Sequence, residues 1–222
     1  MSMQRDVSDC SATRAGLERR LLLRPALSSP TPALFLDRDG VVIEDKHHLS
    51  HPDEVELCPG IHKLLNHAQQ AGWAVVVITN QSGIARGYFD WEAYDAVTKH
   101  LLGLLDEDAL SGIYANGHGP DAAADSWRKP SPAMLQAAAA DLNLDLRRSL
   151  LVGDRLSDLQ AGSRAGLRWV AHVGTGHGER ERRQVLSWHQ SDHSTDREAD
   201  DVELALLRTL QDFPLERIGP IA

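Results

Sequence analysis

Two carboxylates one residue apart, Asp37 and Asp39, close a short apolar run in ALFLDRDGVV, residues 33–42. Residues i and i+2 leaving a strand point the same way. Two like charges are thus aimed at one spot, where they repel unless a cation lies between or beside them. Hard divalent cations with oxygen ligands, magnesium above all, suit such a pair and leave room for phosphate oxygens. Two other apolar runs also end in polar groups, one in Thr79-Asn80 and one in Gly153-Asp154. Asp154 offers a further carboxylate, and Lys129 a fixed positive charge. Carboxylates, Mg2+ and a lysine around one point are what phosphoryl transfer requires, because its chemistry is mostly positioning and charge neutralisation. Singly, each feature has an ordinary explanation. A D-x-D pair or the TNQSG segment can be a turn, Asp154 and Asp158 can cap a helix, and Lys129 can be a surface residue. Together and in this order, each after an apolar run, they point to a site.

The elements that must position these groups alternate along the chain. Strands are expected at Ala33–Leu36, Ala74–Ile78, Gly112–Ala115, Ser149–Val152 and Trp169–Val173, all continuously apolar and so buried on both faces. Helices are expected between them. Ile61, Leu64, Leu65 and Ala68 keep helical spacing and Gly72 closes that segment. Val97, Leu101, Leu104 and Leu105 follow a cap at Asp90. Ser131-Pro132 opens AMLQAAAADL as an N-cap with proline at the first helical position. A helix from Asp154 to Ala165 ends at Gly166. This alternation implies an α/β fold with a largely parallel sheet, and ligands of open parallel sheets bind beyond the carboxyl ends of the strands. Residues 1–31 read as an N-terminal extension with a short helix around Leu17 to Leu23. Residues 32–222 read as one domain, whose polar tail from Gly178 carries one helix in DDVELALLRTLQDF. Trp73, Trp91 and Trp169 fall in helix or strand patterns and read as packing residues.

Composition bounds the partners. The 222 residues carry a formal net charge of −9, which argues against nucleic acid and anionic membranes as partners. An anionic small substrate then needs a local basic cluster. Two cysteines, Cys10 and Cys58, make no disulfide framework. No run approaches the roughly 20 apolar residues of a membrane span, and the first residues lack the apolar core of a signal peptide. The expectation is a cytoplasmic protein, a monomer or small homo-oligomer.

FLDRDGVV, VVVITNQSGIARG, RKPSPAML and LLVGDRLSDLQAG resemble the four motifs of the haloacid dehalogenase superfamily of phosphatases. More narrowly they resemble the heptose 1,7-bisphosphate phosphatases and their relatives, the histidinol-phosphate phosphatases, over about residues 33–176. The resemblance implies a Rossmann-like three-layer α/β/α sandwich. It implies that Asp37 is the nucleophile forming an aspartyl-phosphate, and that Asp39 protonates the leaving oxygen and then activates water. Mg2+ would be held by Asp37, the backbone carbonyl of Asp39, and Asp154. Thr79 and Lys129 would bind phosphoryl oxygens. Asp45, Lys46, His47, His48, Asn80, Gln81, Ser82, Arg128 and Arg155 would contact a small phosphorylated sugar. Lys46, Arg128, Lys129 and Arg155 would form the basic cluster the net charge demands. Arg86 is either a further anion contact or a surface residue. His47, His48 and His51 either bind a metal or belong to a polar loop.

Spacing adds one inference. Asp37 and Thr79 are 42 residues apart and Thr79 and Lys129 are 50 apart, too few for a separate cap domain beyond the elements already placed there. The site is expected to be open, lidded by loops near 44–55 and 116–128. Members of the family branch carry a zinc loop of three cysteines and a histidine before the R-K-P motif. Here YANGHGPDAAADSWRKP keeps His118 but has Asn116, Asp125 and Trp127 where cysteines are expected. Zinc is therefore not expected, and Trp127 is the candidate to hold the loop by packing. The function expected is a Mg2+-dependent sugar phosphatase, acting on the 7-phosphate of heptose 1,7-bisphosphate. A phosphatase for histidinol phosphate or another small phosphometabolite is the alternative, and a phospho-acceptor signalling module a third reading.

Overall fold

The computed structural model describes residues 11–13, 16–106, 108–191 and 202–221. Its centre is an eight-stranded sheet in the order β1-β2-β5-β4-β3-β6-β7-β8. These are β1 (Ser11–Thr13), β2 (Glu18–Leu22), β3 (Ala33–Leu36), β4 (Ala74–Asn80), β5 (Gly112–Asn116), β6 (Leu150–Gly153), β7 (Trp169–His172) and β8 (Glu203–Leu206). The six strands from β5 to β8 are parallel. β2 pairs antiparallel with β5, and β1 with β2.

The continuous apolar runs become strands covered on both faces. Alternation along β3 sorts its side chains into two cores. Leu34 and Leu36 join Leu64 and Leu65 of α1 (Ile61–Gln70) and Val97 and Leu101 of α3 (Trp91–Leu104). Ala33 and Phe35 face the other way. They pack with Met134 and Leu135 of α4 (Ala133–Leu142), Leu159 of α5 (Leu156–Arg164) and Val185 of α6 (Gly178–Gln190). The result is the expected three-layer α/β/α sandwich. A one-turn helix α2 (Ser82–Ala85) follows β4 directly. Asp90 caps α3 by accepting the Ala93 N–H at 2.9 Å. Among the described residues no helix is long and apolar enough to cross a membrane.

Three expectations are corrected. The segment Leu17 to Leu23 is not helical. β2 occupies it, and its backbone pairs with the edge of β5, which would otherwise leave a row of unpaired donors and acceptors. Arg20 then makes two 2.8 Å contacts with Asp141, and Arg19 pairs with Asp95. In the tail, Glu203–Leu206 is a strand extending the parallel sheet beyond β7, followed by short 3-10 turns at Leu210–Asp212 and Leu215–Arg217. The tail's long helix lies earlier, at α6, where only Gly178 and Val185 are buried and the apolar signal is correspondingly thin. A smaller shift affects α4, which starts at Ala133 with Pro132 at its cap position, while the Ser131 hydroxyl accepts the Ala133 N–H at 3.3 Å.

Candidate active site

β3 lies between β4 and β6, where the strand order reverses direction. The strand ends of β3, β4, β5 and β6 open on one side, as ligand sites in parallel sheets require. A cavity of about 550 Å³ sits there. Its walls include Asp37, Asp39, Asn80, Gln81, Arg128 and Lys129. The intervals between Asp37, Thr79 and Lys129 hold sheet, helices and loops but no separate cap, so the cavity opens to solvent.

Asp37 stands one residue beyond β3, its N–H donating to Val152 O at 3.0 Å. The buried Lys129 ammonium lies 2.7 Å from Asp37 Oδ1 and 2.8 Å from Asp158 Oδ1, and donates to Ile78 O at 3.0 Å. Burial alone would depress the lysine pKa. The Asp158 and Asp37 carboxylates outweigh it and hold Lys129 charged, above its ordinary value. Burial also pushes Asp37 up to about 7 despite Lys129, with Asp158 and Asp39 adding to the rise. Asp154 is pushed to about 9 by burial and by Asp37 and Asp158.

Three buried carboxylates, Asp37, Asp154 and Asp158, have ligand atoms within 4.8 Å of one another. Asp158 faces a cation: its Oδ1 forms an ion pair with Lys129 at 2.8 Å, and its Oδ2 accepts the Arg155 N–H at 3.0 Å. Asp154 differs. Its Oδ2 accepts the His177 N–H at 2.7 Å, but its buried Oδ1 has no hydrogen-bond partner. Backbone crowds this carboxylate: a Cβ on Gly40 would sit 2.7 Å from Asp154 Oδ2, and one on Gly176 would sit 2.4 Å from it. Both glycines also have positive φ, 83° and 56°. An orphaned oxygen beside a second carboxylate, both destabilised as anions, fits a hard divalent cation.

Asp39 is treated differently by its neighbours. The buried Arg38 grips it with Nε and Nη2, each at 3.1 Å, and Gln81 Nε2 donates to it at 2.8 Å. Burial opposes ionisation, but Arg38 and Gln81 prevail and hold Asp39 below the ordinary carboxylate range. Gln81 also donates to Thr79 Oγ1 at 2.7 Å. Asn80 ties two strand ends together. Its Oδ1 accepts from the Lys129 N–H at 3.2 Å and from Asn116 Nδ2 at 3.1 Å, and its Nδ2 donates to Lys129 O.

The outer wall carries three guanidiniums, Arg86, Arg128 and Arg155. Arg128 is pushed below its ordinary pKa by burial and then by Arg86 and Arg155. Three cations thus gather at one mouth, and Glu181 lies 3.9 Å from Arg155. On the loop after β3, Asp45 Oδ2 lies 3.0 Å from His177 Nε2, and Asp45 Oδ1 accepts the His47 N–H at 2.9 Å. His48 stacks edge-on against Tyr88.

Most of the sequence-derived set therefore converges. Asp37, Asp39, Asp45, His47, His48, Asn80, Gln81, Ser82, Arg86, Arg128, Lys129 and Arg155 all line the cavity, with Thr79 and Asp154 buried just behind it. Lys46 does not join them. Its ammonium pairs with Glu56 at 2.6 Å, away from the cavity, because the next residues turn through positive φ. His51 also stays outside. Among the described residues, the metal-capable cluster here joins Asp45 and His47 of this loop to His177 at the start of α6, with neither His48 nor His51. Sequence reasoning missed Arg38, His177 and the Asp158–Lys129 pair. Alternation points residue 38 away from its neighbours, so only a buried partner for Asp39 could have indicated it. The G-D-x-x-x-D spacing did bring Asp158 near, one helical turn after Asp154.

A family model described as HAD-hydrolase-like matches residues 126–205. The chain is 49% identical over 144 residues to D-glycero-beta-D-manno-heptose-1,7-bisphosphate 7-phosphatase of Mesorhizobium japonicum, covering 61% of this chain and 66% of the relative. The enzyme of that name from Haemophilus ducreyi is 40% identical over 152 residues, covering 65% and 84%. A solved HAD-like structure from Mesorhizobium loti superposes with a TM-score of 0.75 at 36% identity, covering 93% of this chain and 95% of that one. The D,D-heptose 1,7-bisphosphate phosphatase of B. bronchiseptica, solved with magnesium and phosphate, gives 0.66 at 33% identity over 81% and 93%. Sequence likeness, fold and a strand-end acidic site thus agree: the chain belongs to the haloacid dehalogenase-like phosphatases, close to the heptose 1,7-bisphosphate phosphatases, and is a phosphoric monoester hydrolase.

Proposed function

We propose that the chain hydrolyses one phosphate of a small sugar bisphosphate in a Mg2+-dependent reaction, with the 7-phosphate of D-glycero-D-manno-heptose 1,7-bisphosphate the best-fitting target. The observation that carries this reading is a cavity with two anion-seeking ends. The inner end holds Lys129 beside Asp37. The outer end gathers Arg86, Arg128 and Arg155. A doubly phosphorylated sugar satisfies both. Histidinol phosphate would bring an ammonium toward three guanidiniums and is disfavoured. Names of the relatives support the same substrate.

In this reading Asp37 attacks phosphorus, and a phosphoryl–carboxylate bond forms as the ester P–O bond breaks. Asp39 passes a proton to the leaving sugar oxygen. Because Arg38 and Gln81 keep resting Asp39 ionised, that proton comes from the phosphate monoanion. Asp39 then takes a proton from water as the water attacks phosphorus and the phosphoryl–carboxylate bond breaks, and it gives that proton up with the departing phosphate, which restores both carboxylates. Lys129 and the Thr79 hydroxyl face the phosphoryl oxygens, and Asn80 keeps Lys129 in place. Asp37, Asp154 and the Asp39 carbonyl would hold Mg2+, which supplies charge neutralisation at the transferring group. A storage module would lack a group that hydrolyses the phosphoenzyme, whereas Asp39 stands beside Asp37. The 117–128 loop is read as free of structural zinc. Asn116 points its amide at Asn80, and Trp127 packs on Tyr114 with ring centroids 5.5 Å apart, so neither offers a soft ligand.

Phosphate release from heptose 1,7-bisphosphate, fructose 1,6-bisphosphate and histidinol phosphate, each with Mg2+ and with chelator, tests this. Heptose 1-phosphate should be the retained product, seen by phosphorus NMR. Preference for histidinol phosphate, or full turnover in chelator, would overturn the reading.

A further inference from the structure

β2 carries a carboxylate into the interior. Glu18 is 1% exposed and lies opposite Asn116 in the antiparallel register. Its Oε1 accepts the Trp127 N–H at 2.9 Å and lies 3.5 Å from His118 Nε2. One residue earlier, the Leu17 carbonyl accepts the Gly117 N–H at 2.6 Å. These contacts grip the 117–128 loop at both ends. The loop has no helix or strand of its own, so its shape depends on such anchors.

Burying a carboxylate costs several kcal/mol unless donors meet it. An apolar side chain would fill the same space without that cost. A charge is useful here for a different reason: it satisfies a loop N–H and draws an imidazole toward it. The consequence passes directly into the cavity wall. Arg128 follows Trp127, and its Nη1 donates to the His118 carbonyl at 3.0 Å. Both residues that position Arg128 are thus held by one side chain from the N-terminal strand.

We propose that Glu18 is a positioning residue for the outer phosphate. It fixes the 117–128 loop so that the Arg128 guanidinium faces the substrate, which makes β2 a working part of the site rather than an appendage. The inference rests on the assignment of Arg128 to the second phosphate.

Steady-state kinetics of Glu18→Ala, Glu18→Gln, Arg128→Ala and the Glu18→Ala/Arg128→Ala double variant, on heptose 1,7-bisphosphate and on p-nitrophenyl phosphate, decide it. The second substrate has no outer phosphate. In Glu18→Ala, KM for the bisphosphate should rise about tenfold with kcat within about twofold. Its kcat/KM should fall at least fivefold more than that for p-nitrophenyl phosphate. Glu18→Gln keeps the acceptor for Trp127 but loses the charge facing His118, so the KM rise should be smaller, about threefold, and again confined to the bisphosphate. The double variant should be no worse than Arg128→Ala, because both changes remove one interaction. Equal losses on both substrates would reduce Glu18 to a stability role and overturn the proposal, as would an unchanged KM in Glu18→Gln. That second variant decides the matter if Glu18→Ala does not fold. If Arg128→Ala itself leaves the bisphosphate KM unchanged, the reading of the outer phosphate fails. If it raises KM while Glu18→Ala does not, only the Glu18 inference fails.

Discussion

Asp37 and Asp39 are chemically alike and two residues apart, yet their surroundings drive them in opposite directions. Asp37 is pushed up to about 7 and Asp39 is held down by Arg38. Asp37 therefore needs a bound cation to hold it ionised as the nucleophile, and Asp39 can deliver only a proton that the substrate hands to it. Asp37→Asn should abolish turnover, whereas Asp39→Asn should lower kcat by about 10²–10⁴ as proton transfer is lost; a burst of phosphoenzyme in the latter would show which half-reaction suffers. If the proton for the leaving group comes from the phosphate monoanion, kcat/KM should fall as pH rises past the phosphate's second pKa, about 6. A profile still rising above pH 8 would refute that source.

The same carboxylates link pH to stability. Asp37 and Asp154 have folded-state values of about 7 and about 9, above their ordinary 3.8. A raised carboxylate favours the folded state most below pH 3.8, and that contribution is lost as pH rises through the folded value. Metal-free protein should therefore lose melting temperature between about pH 4 and pH 9 on account of these two groups. Mg2+ binds the ionised pair, so its stabilising effect should grow over the same range. A Mg2+-induced shift in Tm that shrank with rising pH would contradict the assignment. At this scale much was legible in the sequence, because Asp37, Thr79 and Asp154 each follow an apolar run that fixes where they emerge, and Lys129 stands in the RKPSP motif. His177 and Glu18 were not, because their partners lie on segments far away in the chain, and Arg38 was not, because nothing local marks its side chain as buried.

At the scale of elements, the five central strands could be read from continuous Val, Leu and Ile, since both faces are covered. Strands toward the two ends of the sheet carry no such mark. β2 reads ERRLL, and its arginines pair with Asp95 and Asp141 rather than entering a core. β8 reads ELAL, with its outer residues exposed. Their strand state comes from the open backbone of β5 and β7. The 117–128 loop is an element of the third kind, held by anchors. Trp127 is 8% exposed against Tyr114, so Trp127→Ala should cost about 3–5 kcal/mol, measured by denaturant titration. An unchanged midpoint would mean that the ring is not holding the loop. Arg128→Ala should lower kcat/KM for the bisphosphate by one to two orders of magnitude, equivalent to about 1–3 kcal/mol for a charged hydrogen bond.

Across the whole molecule, a net charge of −9 surrounds a mouth lined by three arginines. The far field repels an anionic sugar that the near field attracts. Salt screens both, but beyond a Debye length of about 8 Å at physiological strength the distant acids vanish first. Moderate salt should thus cost the bisphosphate less than the mouth alone would suggest. Replacing Arg86 and Arg155 by alanine should reverse the slope, so that added salt raises kcat/KM.

The antiparallel union of β2 with β5 also has a consequence in time. Leu22 leaves the ribosome 90 residues before its partner Gly112. At about 5–20 residues per second, that is roughly 5–18 s with the strand unmatched. During that interval the growing polypeptide carries an early strand without its β5 partner. The wall that seats Arg128 cannot form until the chain has passed residue 128. Ribosome-stalled chains ending near residue 105 should be cleaved by protease within 18–22, and chains stalled well past residue 130 should resist. Residues 18–22, though made early, are thus among the last to be secured.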